Sequence, residues 1–339
     1  MRGSSWQWKW RRRGIQVRHG GGQEGTGGPV VKLRRMAEYF PDYEKKYNII
    51  YACYGFVHRD ECRDAKRKGI PVVYHMNSCG HPAYGVDYQQ ENQKFQVIHN
   101  ELADYIVYGS QHAQRGAQKY LGQPDVPSQI IYNGVNVDSF IPSKNRSGDR
   151  FHILIAGRHD IRHRIEPMLK AMLMILDEYP QVRLTIAGEL HAGEGYRDCQ
   201  RESFAALERA LPKGTVEWHG AYTQNEAPDL YRSADVLVHL KHMDWTPNVV
   251  AEAMACGLPV VYAGNGGMQE LVGDAGVGLN VPENWEEIQE ADPECLAAGV
   301  IRAWQNRETM GRLARERAEQ EFSLQSWIEK HLILFRDLI

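Results

Sequence analysis

Short apolar runs alternating with helix-period segments, twice over, constrain the fold of this chain more than any other feature. In the first half the runs span residues 14–19, 48–55, 70–77, 104–110 and 129–135, with helical patterns between them that include 30–40 and 90–103. In the second half they span 151–157, 182–188, 215–220, 235–240, 259–264 and 277–281. Strands separated by helices are not joined as hairpins, and this order predicts an α/β protein of parallel sheets with helices on both faces. The 339 residues suffice for two such domains, each with its own core. A polar, turn-forming stretch at 141–149 reads as the linker between a first domain at 15–140 and a second at 150–322. Two doubly wound sheets joined there would turn their carboxyl ends toward one cleft, where ligands bind in such sheets.

Composition excludes several classes. With 42% apolar and 24% charged residues, and no apolar run near bilayer length, the chain reads as soluble and not membrane-spanning. Six scattered cysteines without a CxxC pair suit a reducing compartment and argue against structural zinc, so a cytoplasmic location is expected. The net charge of −3 hides an asymmetry: residues 1–35 hold nine Lys or Arg against the single acid Glu24, a local +8 set against −11 elsewhere. Trp6, Trp8 and Trp10 precede Arg11-Arg12-Arg13 in a leader, residues 1–14, that reads as a disordered or tag-like segment. The same mixture suits a peripheral contact with an anionic membrane. Nucleic-acid binding would rest on this leader alone and is not expected.

The chemistry concentrates at residues 244–259, where Asp244 and Glu252 lie eight positions apart across a helix start. Pro247 suits the first helical position and Thr246 the N-cap, which would leave the amides of Asn248, Val249 and Val250 free to meet an anion. Glu252 shares a helical face with Asn248 and Val249, where a carboxylate can accept from two neighbouring hydroxyls, as a ribose diol offers them. Asp244, in the preceding loop, suits sugar hydroxyls or charge developing at an anomeric carbon. Gly257 ends the helix and a buried strand follows. A second cluster, Arg158 through Arg164 with His159 and His163, follows the run at 151–157 and suits a diphosphate.

These residues carry a resemblance. The segment 247–261 (PNVVAEAMACGLPVV), followed by Gly264 to Leu271, is similar to the donor-site signature of retaining GT-B glycosyltransferases of the family-4 type, also called glycosyl transferases group 1. The resemblance implies two Rossmann-like domains facing a central cleft, and a last helix, 323–339, that crosses back to the first domain. That helix has an apolar face needing cover, including Trp327, Ile328, Leu332 and Phe335. It implies transfer of a sugar from a nucleoside diphosphate sugar, a UDP- or GDP-sugar first among candidates, to a glycan, lipid-linked or small-molecule hydroxyl, with retention and without a metal or cofactor. The family pattern has glutamate where this chain has Asp244. Arg158 matches the family's phosphate arginine, and Arg164 takes the place of its lysine. Backbone contacts to the nucleobase fall on His219, Gly220, Ala221 and Tyr222. A histidine expected at the end of the run 70–77 is here Asn77, with His75 two positions earlier on the same face. Gly27 and Gly28, in the loop 20–28, would approach phosphate or sugar, although so glycine-rich a loop equally suits a flexible connection.

HExxH, Walker and GxSxG motifs are missing, as is the Asp-x-Asp metal pair. The substitutions at positions 244, 77 and 164 leave open a non-catalytic nucleotide-sugar or glycan binding protein, and a sugar-nucleotide epimerase of similar architecture is a further alternative.

Overall fold

The apolar runs of the first half pair edge to edge as strands β1 (Val17–Arg18), β2 (Ile49–Cys53), β3 (Val72–Met76), β4 (Tyr105–Tyr108) and β5 (Ser128–Ile130) in a computed structural model of the chain. The structure describes residues 14–21, 28–85, 87–143, 150–191 and 200–339. The leader up to residue 13, Gly27 and residues 144–149 of the expected linker lie outside these. The five strands stand in sequence order, all parallel. Helices α1 (Gly28–Tyr39), α2 (Arg59–Arg67), α3 (Tyr88–Val97) and α4 (Gln111–Tyr120) connect them. The helix expected over 90–103 is α3 continued by a π-helical turn, Ile98–Leu102.

Every residue of β2 and β3 is buried, as a strand covered on both faces requires. Alternation assigns Ile49, Tyr51, Cys53 and Val73 to one face, where they pack with Leu33 and Met36 of α1 and with Trp327, Ile328, Leu332 and Phe335 of the final helix.

In the second half, β6 (His152–Ala156), β7 (Arg183–Ala187), β8 (Val216–Gly220), β9 (Val236–His239), β10 (Val260–Ala263) and β11 (Gly276–Leu279) form a parallel sheet in the order 11-10-9-6-7-8. The order reverses between β6 and β9, so this sheet is doubly wound and its ligand crevice belongs at the carboxyl ends of those two strands. Helices α5 (Glu166–Glu178), α6 (Ala205–Ala210), α7 (Ala227–Arg232), α8 (Asn248–Ala255), α9 (Met268–Val272), α10 (Pro293–Gln305) and α11 (Arg307–Glu321) complete the unit. Its core joins Met168, Leu169, Met172 and Ile175 of α5 to Ile153, Ile155, Leu184 and Ile186 of the sheet and to Leu296 and Val300 of α10.

The chain divides into one unit of Met1–Gly134 with Leu324–Ile339 and another of Val135–Ser323. Residues 135–143, given to the first domain and linker by sequence, therefore go with the second unit. The final helix, α12 (Leu324–Asp337), belongs to the first: Trp327 packs on Gly134, where a Cβ would come within 2.9 Å of the indole side chain.

Candidate functional site

The switch point of the second sheet is built around two glycines. Gly157 (φ +116) directly follows β6 and Gly188 (φ +125) directly follows β7, and the backbones approach so closely that a Cβ on Gly188 would overlap the Gly157 carbonyl oxygen. Only glycine accommodates both that approach and the positive φ. Over Gly157 two other elements meet. A Cβ there would lie 3.5 Å from Arg164 Nη2 and 3.5 Å from Val249 Cγ1, so the guanidinium and the first turn of α8 flank the same backbone.

Arg164 closes a short 3-10 turn, Arg162–Arg164, and is only 6% exposed. Its Nη1 donates to the Arg158 carbonyl, while its Nε has no hydrogen-bond partner among the described residues. His159 beside it donates through Nε2 to the Ala187 carbonyl at 3.0 Å and leaves Nδ1 unpartnered among the described residues. Burial, reinforced by the Arg164 charge, pushes His159 and His163 down to about 3, so both rings are neutral. The cation at the switch point is Arg164. The Arg158 side chain is exposed, and its carbonyl rather than its guanidinium joins the cluster.

Helix α8 differs from the sequence expectation at its start. Pro247, with φ −71 and ψ 130, is the cap rather than the first helical residue, and no side chain caps the helix, so Thr246 does not play that part. The shift follows from proline's fixed φ, which suits the extended cap position as well as the first helical one. Val250 N–H is also not free, since it donates to the Pro247 carbonyl at 3.2 Å. The amides of Asn248 and Val249 head the helix before its first hydrogen bond. Asn248 Oδ1 is buried and unpartnered among the described residues.

The loop before α8 is tightly determined. Met243 is buried with φ +50, a conformation that costs a non-glycine residue about 1–3 kcal/mol and persists where its surroundings enforce it. Asn265 does so: its Oδ1 accepts from Met243 N–H at 2.8 Å, and its Nδ2 donates to His242 Nδ1 and the Pro282 carbonyl at 3.0 and 3.1 Å. Gly267 N–H donates to the Asp244 carbonyl at 2.8 Å, and a Cβ on Gly267 would overlap the Trp245 carbonyl oxygen.

Held this way, Asp244 accepts from His239 Nε2 at 2.8 Å, Lys241 Nζ at 3.3 Å and Trp245 N–H at 2.9 Å. Burial works to raise its pKa, but Lys241, His239 and Arg164 outweigh it and hold the carboxyl well below the usual carboxylate range. Glu252 is 4% exposed; its Oε1 accepts from Gln224 Nε2 at 3.0 Å and its Oε2 from the Tyr231 hydroxyl at 3.3 Å. Tyr222 bonds to Tyr231 in turn, and burial, with Glu252 nearby, pushes its hydroxyl up to about 12.

The structure thus brings together Arg164, Asp244, Glu252, Tyr222 and the start of α8. His219, Gly220 and Ala221 sit exposed at the end of β8, with the Gly220 carbonyl accepting from Gly188 N–H at 2.6 Å. Asn77 lies in the first unit at the end of β3. Gly28 opens α1 with open space around it. Sequence reasoning missed Gln224, Tyr231, His239, Lys241 and Asn265; of these, only Lys241 and His239, three and five positions before Asp244, left a local signal. Among the described residues no group of His, Cys, Asp or Glu is arranged to hold a metal ion, and no helix is long and apolar enough to cross a membrane.

A doubly wound sheet with a buried arginine and a helix start at its switch point, in a chain whose other unit is a second parallel-sheet α/β fold, defines the GT-B class. The structure of Anabaena HepE in complex with UDP and glucose matches 95% of this chain and 100% of its own, with a TM-score of 0.75 and 19% identity. Sucrose-phosphate synthase of Thermosynechococcus elongatus matches 86% of this chain and 74% of its own, with a TM-score of 0.66 and 20% identity. Residues 136–317 match the family model of glycosyl transferases group 1, and the chain belongs to that family. Among curated relatives, the D-inositol 3-phosphate glycosyltransferase of Streptomyces bingchenggensis is 27% identical over 254 residues, covering 70% of this chain and 56% of the relative. That of Paenarthrobacter aurescens is 31% identical over 200 residues, covering 55% and 46%. The chain spans about half the length of these relatives.

Proposed function

We propose that this chain is a glycosyltransferase that moves a sugar from a nucleoside diphosphate sugar to a hydroxyl acceptor, retaining anomeric configuration and needing no metal. The observation that carries this reading is the meeting of the Arg164 guanidinium with the start of α8 over Gly157, with Glu252 four residues into the same helix. A helix start beside a buried cation receives a diphosphate and stabilises it as a leaving group. Glu252, oriented by Gln224 and Tyr231, takes the ribose hydroxyls. Asp244 is ionised before any ligand arrives, and serves as a fixed negative charge toward a sugar whose anomeric carbon becomes electron-poor as the bond breaks. Retention then follows a front-face course in which the departing phosphate takes the acceptor's proton. Asn77, where the family pattern has a histidine, can donate and accept hydrogen bonds but cannot serve as a base.

The acceptor is a hydroxyl of a glycan, lipid-linked or small molecule; the curated relatives' names make a phosphorylated cyclitol one to test. Screening UDP-, GDP- and ADP-sugars by thermal shift, then following nucleoside diphosphate release with and without acceptors in the presence of EDTA, tests the reading. Acceptor-dependent release supports it. Binding without release from any donor favours a binding protein, and an altered sugar nucleotide formed without acceptor favours an epimerase.

A further inference from the structure

The loop that carries Asp244 is tied to three neighbouring segments of the second unit through one residue, His242, whose side chain is fully buried. Its backbone N–H donates to His163 Nε2 at 3.2 Å, which joins the loop to the Arg162–Arg164 turn. Its Nε2 lies 2.8 Å from the Asn284 carbonyl, in the irregular segment after β11. Its Nδ1 is reached by Asn265 Nδ2 at 3.0 Å, from the turn after β10, and by the Gln289 N–H at 3.4 Å.

These contacts admit one arrangement of hydrogens. A carbonyl only accepts, so the His242 ring carries its hydrogen on Nε2, and Nδ1 is a bare lone pair. Asn265 must then present its amide nitrogen to that lone pair and to the Pro282 carbonyl, 3.1 Å away, which turns its oxygen to the Met243 N–H at 2.8 Å. Reversing the carboxamide would set N–H2 against the Met243 N–H, and its oxygen against two acceptors. The tautomer of His242 therefore dictates the orientation of Asn265, and Asn265 holds Met243 at φ +50. Asp244 is the next residue. With that turn in place its carboxylate meets His239 Nε2 at 2.8 Å and Lys241 Nζ at 3.3 Å.

We propose that His242 and Asn265 form a proton-sensitive latch: closed while His242 is neutral, it sets the Asp244 carboxylate against His239 and Lys241, and a proton on His242 opens it. The role of Asp244 toward a sugar rests on the transferase reading; the latch does not. A second ring proton would sit on Nδ1 and face the N–H groups of Asn265 and Gln289, donor against donor. Asn265 then leaves the ring, Met243 loses the acceptor for its N–H, and a left-handed turn that a non-glycine residue holds only under constraint is free to relax. Burial lowers the pKa of His242, while the Asn284 carbonyl and Glu283, both on the segment after β11, work the other way. Of its other neighbours, His163 on the Arg162–Arg164 turn is held neutral at about 3, Lys241 and Asp244 stand in the same loop, and the turn after β10 brings the Asn265 amide. Because the folded value lies below the unfolded one of about 6.5, the unfolded chain takes protons first as pH falls, so the closed latch contributes fully above pH ~6.5 and its contribution is lost on acidification.

The test uses the full chain with Asn265→Ala and Asn265→Asp, followed by NMR of the histidine ring nitrogens. In the wild type at pH 7.5 His242 should show the Nε2–H tautomer, and the His239 Nε2–H that meets Asp244 should exchange slowly with solvent. On acidification that His239 signal should be lost as His242 takes its proton. Asn265→Ala breaks the link, so the His239 proton should exchange at least tenfold faster at pH 7.5. By calorimetry, affinity for UDP-glucose, with GDP-mannose in parallel, should fall at least tenfold while that for UDP and GDP stays within threefold. Asn265→Asp inverts the response to acid. One carboxylate oxygen still accepts from the Met243 N–H and the other favours a proton on His242 Nδ1, so the proton affinity of His242 should rise at least tenfold and the His239 signal should persist after His242 is protonated. A His239 exchange rate within twofold of wild type in Asn265→Ala, survival of the His239 signal through His242 protonation in the wild type, or an unchanged His242 midpoint in Asn265→Asp overturns the latch. Should Asn265→Ala fail to fold, the wild-type titration and Asn265→Asp decide it. A latch that behaves as expected by NMR in a chain that binds neither sugar nucleotide supports the proposal and overturns the transferase reading.

Discussion

Arg164→Met removes the charge at the switch point while keeping most of the stem volume, and its effects on stability and on donor binding should separate. In the ligand-free chain Arg164 makes one hydrogen bond to protein among the described residues, to the Arg158 carbonyl, and leaves Nε unpartnered. Losing a charge-assisted bond costs about 1.5–3 kcal/mol. Methionine also escapes the penalty of burying a cation at 6% exposure, worth several kcal/mol in the other direction. The net change in unfolding free energy should therefore stay within about 2 kcal/mol. The diphosphate loses a cation and its hydrogen bonds together, about 3 kcal/mol, or more than a hundredfold in Kd. Arg164→Lys should recover about tenfold, since an ammonium restores charge but not the planar fork. Calorimetric titration with UDP and GDP, beside urea unfolding of the same preparations, measures both. A Kd within threefold of wild type, or a stability loss above about 4 kcal/mol accompanied by equal binding, would refute the assignment of Arg164 to the phosphates.

Glu252→Ala leaves the Tyr231 hydroxyl and Gln224 amide without their carboxylate, and is expected to weaken binding of UDP-sugar and free uridine alike by at least tenfold; unchanged uridine affinity would remove ribose from its role. Gly188→Ala forces a Cβ onto the Gly157 carbonyl and should cost more than about 3 kcal/mol by chemical denaturation, against about 1–2 for Gly220→Ala, which has the positive φ but open space. Acid stability follows from His159, His163 and His331, each held at about 3 by burial against about 6.5 unfolded. The unfolded chain gains protons as pH falls through 6.5 while the native chain does not, so stability is full above 6.5 and lost on descent. The loss is about 2 kcal/mol per histidine by pH 5, readable as a shift in urea midpoint between pH 7 and 5.

Local information carried far here. β2 and β3 lie within apolar runs because burial on both faces demands such a run, while β5 and β11 each begin one residue before theirs, and α8 ends at Gly257 because its φ of +71 suits glycine. The start of α8 was less legible, since Pro247 satisfies either of two adjacent positions and only the surrounding loop selects one. Asp244 was recognised as a carboxylate with a role, but its partners His239 and Lys241 come from the end of β9 and the following turn, whose course depends on Met243 being held at positive φ by Asn265.

The sequence by itself determined the class of each element, the two-unit α/β organisation and the identity of the charged residues, because periodicity and residue chemistry are properties of short segments. Only the tertiary structure decided what those charges meet. Sheet order puts Gly157, Arg164 and Val249 over one another across some ninety residues of chain, Gln224 and Tyr231 against Glu252, and Lys32 between His75 and Asn77. Such pairings depend on which strands lie side by side, and no local pattern records that order.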